Sequence, residues 1–295
     1  MNAERRAPDA TAVSVMVLLC LIWGVGHVAA KFAAQGISLV LQSGMRSVVA
    51  TVLLLAWAYL RKIPLWERDR TFRPGILAGL LFAGEFVFIY AGLATTDAAR
   101  MVVFVYLAPC ITAFGLHFLI PQERLSARQW AGILLAFAGV AVAFGDGVAS
   151  GRGTLLGDFF GLMGAALWAA TTIVIRASRL ASVSADKTLF YQLAVSGPIL
   201  LGASWLMGEK GVFALTPLVV SAFVYQCVAV AFVSYLTWFW LLRHYLAARL
   251  GVLTFLTPLF GVLAGVLLLG EPLTASFAGA ALLVGTGIFL VNLKR

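Results

Sequence analysis

The chain has 295 residues, 62% hydrophobic and 11% charged, with a net charge of +9. Soluble domains carry about 45–50% apolar and about 25% charged residues, and their exteriors need polar cover that this composition lacks. A soluble enzyme, a disordered chain, a secreted disulfide scaffold and a nucleic-acid-binding domain are therefore excluded as main readings.

A helical membrane span needs about 20 mostly apolar residues. In chain order, such segments are predicted over 13–34, 39–60, 74–95, 99–119, 128–145, 154–176, 188–207, 217–242, 246–269 and 274–293. These ten spans leave no room for a soluble catalytic or nucleotide-binding domain. The first is expected to stay as a span, since it is long for a signal peptide and lacks an A-x-A cleavage site. Cys20, Cys110 and Cys227 lie within apolar runs and offer neither a disulfide framework nor metal-ligand spacing.

The links set the orientation. With the N-terminus inside, only Lys31, Arg100, Arg152 and Lys210 fall on outer links. Arg46 lies inside a span, and the rest of the 21 Lys and Arg residues fall on inner links. Positive charge gathers on the cytoplasmic side of membrane proteins, so both termini are expected in the cytoplasm. The +9 charge thus reads as topology and not as a binding patch.

The two halves resemble each other. Ala98-Ala99-Arg100 and Leu107-Ala108-Pro109 align with Ala247-Ala248-Arg249 and Leu256-Thr257-Pro258 at one constant offset. Glu123-Arg124-Leu125-Ser126 aligns with Glu271-Pro272-Leu273-Thr274, and Trp23 and Lys31 align with Trp168 and Arg176. Two repeats are predicted, over 12–147 and 154–293. Five spans per repeat is odd, so the second copy runs through the membrane inverted. Secondary transporters recurrently use this architecture, with the substrate held near the midplane at the repeat interface.

The residues Trp23-Gly24, Arg46, Pro109, Glu123-Arg124-Leu125, Trp168-Ala169, Pro258 and Glu271-Pro272-Leu273 carry a resemblance to a known family. The chain resembles the drug/metabolite transporter superfamily in its ten-span form of two EamA-type repeats, over about residues 12–293. In character it is closest to the bacterial aromatic amino acid exporter. The resemblance implies a basket in which spans 1, 3, 4, 6, 8 and 9 surround a central cavity, with spans 5 and 10 peripheral. Related small multidrug transporters carry a carboxylate in the first span. Here the matching positions are His27 and Thr172, which argues against proton-coupled export of cationic drugs.

An ionisable group within a span costs about 2.5–3.5 kcal/mol on insertion scales and mostly faces protein or water. At about 1.5 Å per residue, His27 and Arg46 lie about 10 Å below the outer surface and Glu85 about 15 Å. One reading is an Arg46–Glu85 ion pair locking two helices. The other is a charged cavity wall that meets a zwitterionic substrate. The repeat equivalents, Thr172, Tyr191 and Ser234, are uncharged.

Trp23, His27 and Lys31 form one stripe on span 1, and Trp168, Thr172 and Arg176 form the matching stripe on span 6. Both stripes suit packing as well as binding, and Lys31 and Arg176 also suit snorkelling to opposite surfaces. Tyr90, Tyr106, Tyr225 and Tyr235 add rings with hydroxyls on the expected lining helices. Pro109 and Pro258 fall mid-span at matched positions, where each removes a backbone donor and favours a kink or hinge.

No Walker A loop, H-E-x-x-H or G-x-S-x-G motif is present. The expected protein is an all-α, multi-pass inner-membrane transporter of small organic metabolites, amino acids foremost, working by alternating access. It needs no cofactor and no metal, is not an enzyme, and has the bilayer and a small molecule as partners. Nucleic acid is not expected as a partner, and monomer and homodimer both stay open. The alternatives are a carrier of sugar or nucleotide derivatives, or a membrane enzyme or receptor.

Overall fold

The structure, a computed structural model, describes residues 9–67, 69–119, 125–150, 154–245, 250, 253–254 and 256–292. Arg5, Arg6, Arg68, Glu123, Arg124, Arg152, Ala247-Ala248-Arg249, Lys294 and Arg295, used above for topology and repeats, lie outside these residues.

Among the described residues the fold is all helical, with one isolated backbone bridge between Ile37 and Val212. The first half comprises α1 (Ala10–Ala33), α2 (Leu39–Leu60), α3 (Phe72–Leu93), α4 (Ala98–Leu119) and α5 (Ala127–Ser150). The second half comprises α6 (Leu155–Ala177), α7 (Ala185–Leu206), α8, α9 (Leu256–Leu269) and α10 (Ala275–Asn292). Helix α8 has three parts: Pro217–Val224, a π-helical stretch Tyr225–Ser234, and Tyr235–His244.

The ends follow local chemistry. Asp9 caps α1, its carboxylate accepting from the Ala12 amide at 2.9 Å. Ser184 and Thr216 cap α7 and α8 in the same way, and Pro217 follows Thr216 at the first position. Gly208 after α7 and Gly270 after α9 both have φ +66°, a conformation that favours glycine.

Helices α1 to α7 and residues Pro217–Trp238 of α8 are long and apolar enough to cross a membrane. Helices α9 and α10 are apolar but shorter, so ten full-length spans are not what the described residues contain.

The two prolines expected mid-span take different places in their helices. Pro109 has no N–H to offer Val105, and α4 breaks just before it into Ala98–Val105 and Ala108–Leu119. Pro258 sits in the first turn of α9, following a turn at Thr254.

Packing pairs the two halves. Helix α5 runs along α10 and α2 along α7; α3 packs on α6 and α7, and α1 on α8 and α9. Helix α4 packs on both α6 and α9, and α2 also touches α8. Advancing every helix number by five maps this pattern onto itself, as two related repeats require. Small residues allow the approach. A Cβ on Gly24 of α1 would stand 2.8 Å from the Gly261 nitrogen of α9, and one on Gly157 of α6 2.7 Å from the Gly92 carbonyl of α3.

Candidate functional site: a polar core between the repeats

Four helices bring a chain of polar groups together. On α2, Gln42 Nε2 donates to the Ala30 carbonyl of α1 at 3.1 Å. Gln226 Nε2, in the π-helical stretch of α8, donates to Gln42 Oε1 at 2.8 Å. Tyr90 of α3 donates its hydroxyl proton to Gln226 Oε1, and Arg46 Nη1 donates to the Tyr90 oxygen at 3.3 Å. All four residues are buried, and the Arg46 side chain lies over the Phe86 ring, 4.2 Å from its centroid.

The Nε and Nη2 groups of Arg46 have no partner among the described residues, and neither has Glu85 Oε2. Both side chains are at least nine-tenths buried, Arg46 at 4% and Glu85 at 5% exposure. No ion pair joins them, so the locking salt bridge entertained from sequence is not formed. Arg46 nevertheless lies within electrostatic reach of both His27 and Glu85. A guanidinium edge and a carboxyl oxygen, both buried and both without a partner, suit the two ends of a dipolar ligand.

The aromatic residues frame this core. Trp23 Nε1 donates to Ser234 Oγ at 2.7 Å, and its ring meets Trp238 edge-on at 5.9 Å. Trp168 meets Tyr106 edge-on at 5.4 Å, and Tyr106 stands at the break in α4. Trp23, His27, Trp168 and Tyr235 are all half-buried. Ser234 is the repeat equivalent of Glu85, and Trp168 that of Trp23. The Trp23–Ser234 pair joins the two halves by a hydrogen bond, whereas in its counterpart, Trp168 and Glu85, the Glu85 Oε2 atom is left without a partner. Tyr225 does not join the core chain; its hydroxyl donates to the Ile22 carbonyl of α1 at 2.8 Å. Thr172 donates back to the Trp168 carbonyl of its own helix, and Arg176 is exposed.

A second charged cluster closes one end of the bundle. Arg100 was read from sequence as an outer-link charge, but it is 1% exposed. Its Nε and Nη2 donate to Asp158, its Nη1 to Asp146 at 2.9 Å, and its Nη2 also to the Ala143 carbonyl. Beside it the Glu271 carboxylate accepts from the Ala98 and Ala99 amides at 2.7 and 2.8 Å, capping α4 from the opposite repeat. Lys31 stands 3.6 Å from Glu271 and does not simply snorkel. At the other end, Lys187 donates to Asp69 at 2.8 Å and to the Glu67 carbonyl. That ammonium first, and the Thr71 hydroxyl next, hold the Asp69 carboxyl down at about 2.

Sequence reading found Arg46, Glu85, Tyr90 and the two tryptophans, but it missed Gln42, Gln226 and the Arg100 cluster. Uncharged amides in an apolar run were the available signal for the first two. A lone Arg followed by Asp146 and Asp158 at helix ends was the signal for the third. Among the described residues no group of His, Cys, Asp and Glu is placed to hold a metal.

The EamA-like transporter family matches this chain twice, over residues 10–145 and 155–293. The chain belongs to that family. This EamA-like transporter is 26% identical over 291 residues to the uncharacterized transporter YvbV of Bacillus subtilis, covering 98% of this chain and 94% of the relative. It is 25% identical to a probable amino-acid metabolite efflux pump of Escherichia coli, covering 93% and 92%. A similarly named pump of Salmonella typhimurium is 24% identical with the same coverage. A solved crystal structure shares the fold of the EamA-like transporter with a TM-score of 0.66 at 19% identity, covering 96% of this chain and 98% of the other.

Proposed function

We propose that this transporter moves zwitterionic amino acids, aromatic and apolar ones included, out of the cytoplasm by alternating access of two inverted halves. In this reading all ten helices lie across the inner membrane, with both termini in the cytoplasm. The observation that carries the substrate class is the unpaired Arg46 and Glu85 sharing one buried core. A buried polar group without a partner costs several kcal/mol, and a ligand with one carboxylate and one ammonium supplies partners to both at once. The rings of Trp23, Tyr106 and Trp168 suit an apolar side chain. The self-mapping packing of the halves supports exchange between two states of similar energy. The relatives named as amino-acid metabolite efflux pumps point the same way.

The test is flux through purified, reconstituted protein. Proteoliposomes loaded with radiolabelled phenylalanine, leucine or alanine are expected to lose label faster than protein-free vesicles. Labelled sugars and nucleotides are expected to stay inside. Flux of sugars or nucleotides without amino acids would replace this reading with that of another metabolite carrier.

A further inference from the structure

We infer that the Nε–Nη2 edge of Arg46 is the anchor for the substrate's carboxylate, an assignment that rests on the amino-acid reading above and makes it specific. The argument is one of hydrogen-bond direction. The Ala30 carbonyl can only accept, so Gln42 must turn its Nε2 toward it and its Oε1 toward Gln226. Gln226 must then donate Nε2 and keep Oε1 to accept from the Tyr90 hydroxyl. With its proton spent, the Tyr90 oxygen can only accept, and Arg46 Nη1 supplies that bond. A guanidinium can only donate, so the chain has the same direction read from either end.

The outcome is an arginine held at one corner. Nη1 is tied to Tyr90, while the plane is held over the Phe86 ring at 4.2 Å and beside the Tyr90 ring at 5.6 Å. The donors left unpartnered, Nε and Nη2, are neighbours on one edge of that plane. Two parallel N–H groups on one edge are the fork that a carboxylate grips with both oxygens. Arg100 shows what a structural arginine looks like in the same chain. Its Nε, Nη1 and Nη2 are all engaged, by two aspartates and a carbonyl. The Arg46 edge has no such partner, and Glu85 Oε2, likewise buried without a partner, is the group left for the ammonium. Gln42, Gln226 and Tyr90 are then positioning residues, acting through Arg46.

The test is competition in proteoliposomes of the full-length protein, with phenylalanine as labelled substrate. Unlabelled phenylalaninamide, which lacks the carboxylate charge, is expected to compete at least about tenfold more weakly than phenylalanine, as a site built to bond a missing group rejects its analogue. Arg46→Gln is expected to raise KM for phenylalanine about tenfold or more, while inhibition by phenylalaninamide changes little. Arg46→Lys, which keeps the charge and loses the fork, is expected to fall between. Gln226→Leu is expected to raise KM for phenylalanine by a larger factor than it lowers maximal flux.

Phenylalaninamide competing as well as phenylalanine in the unaltered protein would overturn the assignment, whether or not any variant folds. Arg46 variants that lower maximal flux and folded yield with KM unchanged would overturn it as well, because a purely structural arginine behaves so. Absence of phenylalanine, leucine and alanine flux in the unaltered protein would overturn the amino-acid reading and this inference together.

Discussion

Two buried arginines divide structure from function within this one chain. Arg100 is saturated by Asp146, Asp158 and the Ala143 carbonyl. Deleting one member of such a buried network leaves the others uncompensated, at about 3–5 kcal/mol. Arg100→Ala is therefore expected to lower the thermal unfolding midpoint in detergent sharply and to cut the monodisperse yield. Glu85 predicts the opposite split. Its Oε2 has no partner to lose, so Glu85→Gln is expected to fold in normal yield and to transport amino acids poorly. Equal losses of yield and flux would make Glu85 structural. Asp69 gives a pH prediction. Its carboxyl is held down at about 2, by Lys187 first, so its stabilising contribution is full above the unfolded value near 3.8 and fades only as pH falls through about 2. Asp69→Asn is expected to lower the unfolding midpoint equally at pH 5 and pH 8. Arg46 and Glu85 were legible in the sequence because charge is rare in apolar runs. Gln42 and Gln226 were not, since an amide in a span has no signature until its neighbours are known.

At the scale of helices, the breaks matter more than the spans. Pro109 deprives the Val105 carbonyl of its helical partner, and the turn at Tyr106 and Leu107 follows. That turn sets the Tyr106 ring against Trp168. Pro109→Ala restores the missing donor and allows α4 to run on as one helix, carrying Tyr106 away from Trp168. Flux is expected to fall while the unfolding midpoint holds or rises, and a midpoint that falls with flux would assign Pro109 to packing alone. Helix α8 uses a different device. Its π-helical stretch Tyr225–Ser234 contains both Gln226, which orients the Arg46 chain, and Ser234, which accepts from Trp23. Wide turns of this kind gather at functional sites. The sequence marks a proline break plainly, but a π-turn leaves no residue signature, so this half of the core stayed hidden.

At the scale of the whole molecule, the two ends of the bundle are tied unequally. One end carries the Arg100 network and the Glu271 carboxylate, which spans the repeats to cap α4 while Lys31 stands beside it. The other carries the Lys187–Asp69 pair and a bond from the Tyr245 hydroxyl to Asp9. The repeat pattern was legible from Ala98-Ala99-Arg100 and Glu271, but their contact across repeats needed the fold. In the orientation proposed here the Glu271 end faces outward, and there the Glu271 cap on α4 and the Arg100–Asp158 pair tie the two repeats together. His27 lies on α1, the same helix as Lys31 and nearer its middle. A His27→Cys protein in outward-facing cells is then expected to react slowly with a membrane-impermeant thiol reagent, and faster in inverted vesicles. The native Cys20, Cys110 and Cys227 are buried and give a low background. Adding Glu271→Gln weakens the cap, because two amide bonds to a carboxylate become bonds to a neutral amide of about half the strength. Outer-side labelling is expected to rise in that double variant and labelling in inverted vesicles to fall, since a looser outer closure shifts population toward the outward-open state. Unchanged labelling on both sides would remove Glu271 from the closure and leave it a helix cap.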